Sequence, residues 1–133
     1  MTTRRMQGRI AAARTFDRKA NTVPKARSWT RRIYVNFGAP EELLDACALL
    51  ISEVAANAVL HGAGATYTVT VAPDLWIEVW DASPLLPRHR EHELTSEGGR
   101  GLELLELLAP GYQVIKDTPR GGKCVRFPPK RWA

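Results

Sequence analysis

Residues 40 to 62, PEELLDACALLISEVAANAVLHG, carry the clearest apolar repeat in the chain. Leu43, Cys47, Leu50, Ile51, Val54 and Ala58 recur at i, i+4, i+7, i+8, i+11 and i+15, the spacing of one face of an α-helix. Pro40 suits the start of that helix, Glu41 and Glu42 complement the positive end of its dipole, and Gly62 stands where it should close. Upstream, TVPKARSWTRRIYVNFG predicts a second helix. Thr22 is placed to cap it, Pro24 falls in the first turn, and Gly38 ends it. Its inward positions are Val23, Ala26, Trp29 or Thr30, Ile33 and Phe37.

Other stretches alternate with a period of two. In ATYTVTVAP, Tyr67, Val69 and Val71 face one way and Thr66, Thr68 and Thr70 the other. After a Pro73-Asp74 turn, LWIEVWD sets Leu75, Ile77 and Val79 against Trp76, Glu78 and Trp80, which predicts an antiparallel hairpin. RIAAARTF reads as an edge strand or a short helix, with strand preferred. GLELLELLA is a short helix between glycines and Pro110-Gly111, and YQVIKD with KCVRF forms a last hairpin around TPRGG. Residues 82 to 98 have two prolines, many charges and no period, the mark of a long loop of the kind that serves as a lid. Strands with one apolar face and helices grouped apart from them predict an α+β two-layer sandwich.

Composition narrows this little. The 133 residues, 44% hydrophobic and 25% charged, suit one domain over residues 10–133 behind a flexible basic tail at 1–9. No apolar run is read as reaching the roughly 20 residues of a membrane span, and the basic N-terminus lacks the apolar stretch of a secretory signal. A cytoplasmic protein with no membrane partner is expected. Cys47 and Cys124 lie far apart with no CxxC spacing, so two buried thiols are expected rather than a zinc or redox pair.

Charge changes the picture more. Net charge is +5, with Arg4, Arg5, Arg9, Arg14, Arg18, Lys19, Lys25, Arg27, Arg31 and Arg32 all in the first third. Such a surface attracts nucleic acid, an acidic protein or a nucleotide, and a solvated basic face explains it equally well. No aromatic-interleaved basic strand or DNA-reading motif accompanies it, so direct nucleic-acid binding is not expected.

Four features bear on chemistry. Glu53, Asn57 and His61 recur every fourth residue and stack as a polar stripe on the most apolar helix. A carboxylate there can act as a base and an amide oxygen one turn on can help hold a hard cation; a solvent-facing stripe is the plainer alternative. Asp81 shares the parity of Ile77 and Val79, which puts a carboxylate on the face under the helices, where it needs a partner. A strand-ending turn aspartate is the competing explanation. In EGGRGLELLELLA, the glycines around Arg100 leave backbone N–H groups free for phosphate at a helix start, or simply turn the chain. RHREHE, with His89 and His92, is a charged loop rather than a metal site by its loose spacing. Neither a G-x-x-x-x-G-K-[ST] nor a G-x-G-x-x-G motif is present.

In order, SEVAANAVLHG, VWDASP, the loop followed by GGRGLELLELLA, and GGKCVRF resemble the N, G1, G2 and G3 boxes of the GHKL (Bergerat-fold) ATP-binding domains. Within these the chain is most similar to the small bacterial anti-sigma-factor serine/threonine kinases of the RsbW and SpoIIAB type, over residues 10 to 128. The resemblance implies a mixed, mainly antiparallel sheet with helices on one face, and Mg2+ and ATP as cofactors. It implies that Glu53 activates the attacking hydroxyl, that Asn57 coordinates Mg2+, and that Asp81 accepts from the adenine amino group. Gly99 and Gly101 would wrap the phosphates, with Arg100 and Leu102 beside them, and His61 would close the nucleotide-binding set. Its implied partners are a sigma factor and a STAS-like anti-sigma-factor antagonist.

Where the family's G1 box reads D-x-G-x-G, this chain has Asp81-Ala82-Ser83-Pro84-Leu85, without the glycines that allow close backbone approach. That departure motivates an alternative, an ATP-binding interaction module with no kinase turnover. No phosphoacceptor helix pair of a two-component sensor is expected. Trp76 and Trp80, on the strand face away from the predicted helices, suggest an interface such as a homodimer, or a face covered by other parts of the chain.

Overall fold

The computed structural model describes residues 10–82, 106–117 and 122–128. Strand β1 (Ala12–Asp17) leads through a 3₁₀ turn (Ala20–Thr22) into helix α1 (Val23–Asn36) and helix α2 (Glu41–His61). Strands β2 (Thr66–Val71) and β3 (Ile77–Asp81) follow, then β4 (Gln113–Asp117) and β5 (Gly122–Phe127). Residues 106–108, in the expected short helix, are helical; the rest of that element lies outside the described residues. The five strands form one sheet in the order β1-β2-β3-β5-β4. Among the described residues its pairings are antiparallel, in keeping with the mainly antiparallel sheet that the resemblance implies. Class α+β with a helical layer on a sheet is the observed architecture.

Every inward position read for α2 is buried, and Leu44, Ala46 and Ala55 join them. The core lies between this helix and one face of the sheet: Tyr67, Val69 and Val71 from β2, Ile77 and Val79 from β3, Val125 and Phe127 from β5. At 21 residues α2 is long and apolar enough to cross a bilayer, contrary to the sequence reading. Half of its most apolar window is buried inside the protein, where it serves as the central core helix.

Helix α1 departs from expectation in two ways. Its buried line is Ala26, Thr30 and Tyr34, while Phe37 is 47% exposed. Thr30 is accommodated because its hydroxyl donates to the Ala26 carbonyl one turn back (2.8 Å). Thr22 does precede the helix, but its hydroxyl does not cap it. It lies 2.8 Å from the carbonyls of Asp17 and Lys19 and 2.9 Å from the Tyr67 hydroxyl, fastening the turn to the sheet. Gly38, at φ 76°, reverses the chain after α1 as predicted. Phe16 stacks on Tyr67 and meets Trp29 edge-on, closing the core at the β1 edge.

The opposite sheet face is not apolar. Glu78 and Arg126 stand opposite each other across β3 and β5 and form an ion pair of 3.3 Å, both buried. The Glu78 carboxylate also accepts from Thr70 Oγ1 (3.2 Å) and Trp80 Nε1 (3.1 Å), and the Arg126 guanidinium lies 5.5 Å from the Trp76 ring centre. The two half-buried tryptophans flagged by the sequence are thus part of a charged network. Cys47 and Cys124 are buried and form no disulfide, as expected.

Candidate functional site

The polar stripe sits on the C-terminal half of α2, the helix the core holds most firmly. Glu53 and Asn57 are half-buried and His61 is exposed at the last turn. The Asn57 amide oxygen is buried and, among the described residues, has no hydrogen-bond partner. A buried acceptor left unmatched costs stability. A ligand that binds through oxygen explains its retention, and a hard cation is such a ligand.

The end of α2 is fixed from outside. Arg18 donates from Nη1 to the Val59 carbonyl (2.6 Å) and from Nε to the Gly64 carbonyl (2.8 Å). The first bond takes up a C-terminal carbonyl that the helix cannot satisfy itself, and the second holds the turn that follows. Gly62 closes the helix by close approach: a Cβ there would lie 2.2 Å from the Ala58 carbonyl oxygen. Just beyond, a Cβ on Gly64 would meet the Ala82 side chain at 3.3 Å. That close approach puts the turn after α2 beside the end of β3.

Asp81 lies on the helix-facing side of the sheet, as its parity predicted, with 4% of its side chain exposed. Its partner is Lys123, directly opposite on β5, whose Nζ is 2.8 Å from Asp81 Oδ2. The sequence reading missed Lys123. The signal was present: Lys123 shares parity with Val125 and Phe127, and a lysine on the apolar face of a strand needs an anion. A Cβ on Gly122 would be 2.4 Å from the Asp81 carbonyl oxygen, so glycine is what lets β5 close on β3 here.

Two clefts open beside these groups. One of about 270 Å³ lies between α1 and α2 and is lined by Ala20, Val23, Arg27, Ser52, Glu53 and Leu60, among others. Arg27 donates to Ser52 Oγ (3.1 Å), and Ser52 in turn donates to the Ala48 carbonyl (2.7 Å), so a cation is anchored one residue from Glu53. The other, of about 200 Å³, lies at the end of β3 against Trp80, Asp81, Ala82 and Gly122. Arg18 and Arg27 show that part of the basic excess is structural.

Glu53 thus lines the cleft between α1 and α2, and Asp81 lines the cleft at the end of β3. Gly99, Arg100, Gly101 and Leu102 lie outside the described residues, as do Ser83 to Leu85, His89 and His92. No cluster of three or more His, Cys, Asp or Glu side chains fit to hold a metal occurs among the described residues. A divalent ion at Asn57 would complete its shell from phosphate and water, the habit of Mg2+.

Residues 16–128 match the family model for the histidine kinase-like ATPase domain. No curated protein matches the chain. Among solved structures, it is similar to the crystal structure of the RsbU and RsbW domains of Rv1364c from Mycobacterium tuberculosis, at 19% identity and a TM-score of 0.60. The likeness covers 92% of this chain, which spans about a third of that one (34%), and at this identity it is one of fold.

Proposed function

The chain belongs to the histidine kinase-like ATPase domain family, and from that premise we propose that it is an ATP-binding regulatory protein of the anti-sigma-factor kinase type. The observation that carries the reading is the Asn57 amide oxygen, buried and without a hydrogen-bond partner among the described residues, one helical turn from Glu53. Asp81 supplies the acceptor for the adenine amino group, and His61 and the Gly99-Arg100-Gly101-Leu102 segment complete the nucleotide site. Mg2+ held by Asn57 would supply charge neutralisation on the phosphates. In this reading Glu53 takes the proton of a partner's Ser or Thr hydroxyl as that oxygen bonds to the γ-phosphorus. The bond from the γ-phosphorus to the β–γ bridging oxygen breaks, and ADP departs with that oxygen.

The acceptor would be an anti-sigma-factor antagonist of the STAS type, and the same chain would alternately hold a sigma factor in the cytoplasm. The basic residues of α1 give an acidic partner surface something to meet, and a second copy of the chain would meet the Trp76–Trp80 face through its charged network rather than an apolar patch. The second reading keeps ATP binding and drops transfer. It is favoured by the sequence Ala82-Ser83-Pro84 after Asp81, which lacks the usual glycines.

The deciding experiment follows labelled phosphate from Mg-ATP onto candidate antagonist proteins. Transfer by the parent, with a loss of about 10²–10⁴-fold in Glu53→Gln, supports the kinase. ATP-dependent thermal stabilisation without transfer to any partner supports the module, and no stabilisation by Mg-ATP or Mg-ADP overturns both.

A further inference from the structure

Arg18 follows β1 and binds the segment that leads out of α2 from two directions. Its backbone N–H donates to the Ala65 carbonyl (2.9 Å), which continues the β1–β2 ladder past Asp17 and Thr66, so its main chain belongs to the sheet. Its guanidinium donates from Nε to the Gly64 carbonyl (2.8 Å) and from Nη1 to the Val59 carbonyl in the last turn of α2 (2.6 Å). The side chain is half-buried, and a Cβ on Gly62 would lie 3.4 Å from its Cδ. One residue thus ties the helical layer to the sheet across the turn that joins them.

That turn is poorly equipped to fasten itself. It reads Gly62-Ala63-Gly64-Ala65, with no side chain larger than a methyl, and Gly64 is at φ 84°. Glycines leave such a backbone with much freedom to lose. A guanidinium suits the task, because its N–H donors form a rigid planar fork that reaches the Val59 and Gly64 carbonyls together. The two ends of the tie adjoin two parts of the proposed nucleotide site. Val59 shares the last turns of α2 with Asn57. Gly64 lies against Ala82, the neighbour of Asp81, with 3.3 Å between the Ala82 Cβ and a Cβ built on the glycine.

We propose that Arg18 is a positioning residue for nucleotide binding: through Val59 and Gly64 it fixes the end of the helix that carries Asn57 relative to the strand end that carries Asp81. This rests on the assignment of Asn57 to the metal and phosphates and of Asp81 to the base in the preceding subsection. A ligand that spans both places needs their spacing held, whereas one that meets only Asp81 does not. Holding the spacing before the ligand arrives removes an ordering cost from binding.

The test is NMR titration of the full chain with Mg-ATP and with adenosine, at a temperature where circular dichroism shows each protein folded. In Arg18→Ala, affinity for Mg-ATP should fall about 10–100-fold, the usual effect of removing a group that orients a ligating residue. Affinity for adenosine should stay within about 3-fold of the parent. A purely structural role would weaken both ligands alike or neither once the protein is folded, and either result overturns the inference while leaving the ATP reading intact. Should Arg18→Ala fail to fold, Arg18→Lys keeps the charge and loses the fork. It should lower the ratio of Mg-ATP to adenosine affinity in the same direction, and an unchanged ratio overturns the inference. Failure of the parent to bind Mg-ATP at all overturns the ATP reading and this inference with it.

Discussion

Tyr34, near the end of α1, donates its hydroxyl to the backbone carbonyl of Leu75 in the β2–β3 turn. Leu75 is the only non-glycine residue at positive φ among the described residues, at 72°. Its N–H returns to the Ala72 carbonyl (2.8 Å), and Ala72 N–H donates to the Trp76 carbonyl (2.9 Å). The turn therefore ends in a left-handed position that glycine usually fills. Leucine is kept there because its side chain packs against the core and its carbonyl is held by a buried tyrosine. Tyr34→Phe should cost about 1–2 kcal/mol, lowering Tm by about 4 °C per kcal/mol for a domain of this size. Thermal unfolding followed by circular dichroism checks this.

Asn57→Ala should separate stability from binding. Removing a buried acceptor that has no protein partner relieves a penalty of about 1 kcal/mol, offset by the cavity left behind. The nucleotide-free protein should therefore melt within about 3 °C of the parent, while its stabilisation by Mg-ATP disappears. A large drop in the melting temperature without nucleotide would mean that the amide is a structural group.

Alkaline pH should unfold the protein partly through Cys47. Burial pushes this thiol up to about 12 from an ordinary 9.0, with Arg31 pulling slightly the other way. Burial also raises Tyr34 well above the tyrosine range. A raised acid contributes stability that is whole below its unfolded value and is lost as pH climbs toward the folded one. Stability should fall between pH 9 and 12 for the thiol, and Cys47→Ala should flatten that slope. Denaturant titrations across the range measure it.

Gly122→Ala should damage the base end of the site without touching Asn57. The added methyl would sit 2.4 Å from the Asp81 carbonyl oxygen and 3.2 Å from Ala82 Cα, so β5 must shift away from β3. A loss of about 2 kcal/mol or more is expected from such overpacking, with weaker Mg-ATP binding than that loss alone produces. An unchanged melting temperature would show that the strands have room.

The elements were legible because burial imposes a period. Leu43 to Ala58 announced α2, and the alternations in β2 and β3 announced their inward faces, since each face must be apolar for the layers to pack. Periodicity names the face, not the neighbour. That β5 inserts between β3 and β4 was beyond reach, because the pairing of Asp81 with Lys123 joins residues 42 apart in sequence. The same limit hid the partner of Asp81 and the Glu78–Arg126 pair. Helical spacing puts Phe37 inward, yet Tyr34 is the buried residue, its hydroxyl bonded to a turn carbonyl. At the site, the stripe on α2 was visible as a pattern. The buried, unmatched state of the Asn57 oxygen was not, since sequence does not show which side-chain atoms find partners.

The strand order has one more effect. The chain leaves β3 at Asp81, rejoins the sheet as β4 at Gln113, and meets β3 again at Gly122, the residue whose backbone presses on the point of departure. The connection between β3 and β4 is an excursion whose described end carries Leu108 and Ala109 into the core. Lengthening such an excursion costs only about 0.6 kcal/mol per doubling in loop entropy. Added length between β3 and β4 is therefore tolerated at small cost, while the helix that carries Glu53 and Asn57 stays as it is.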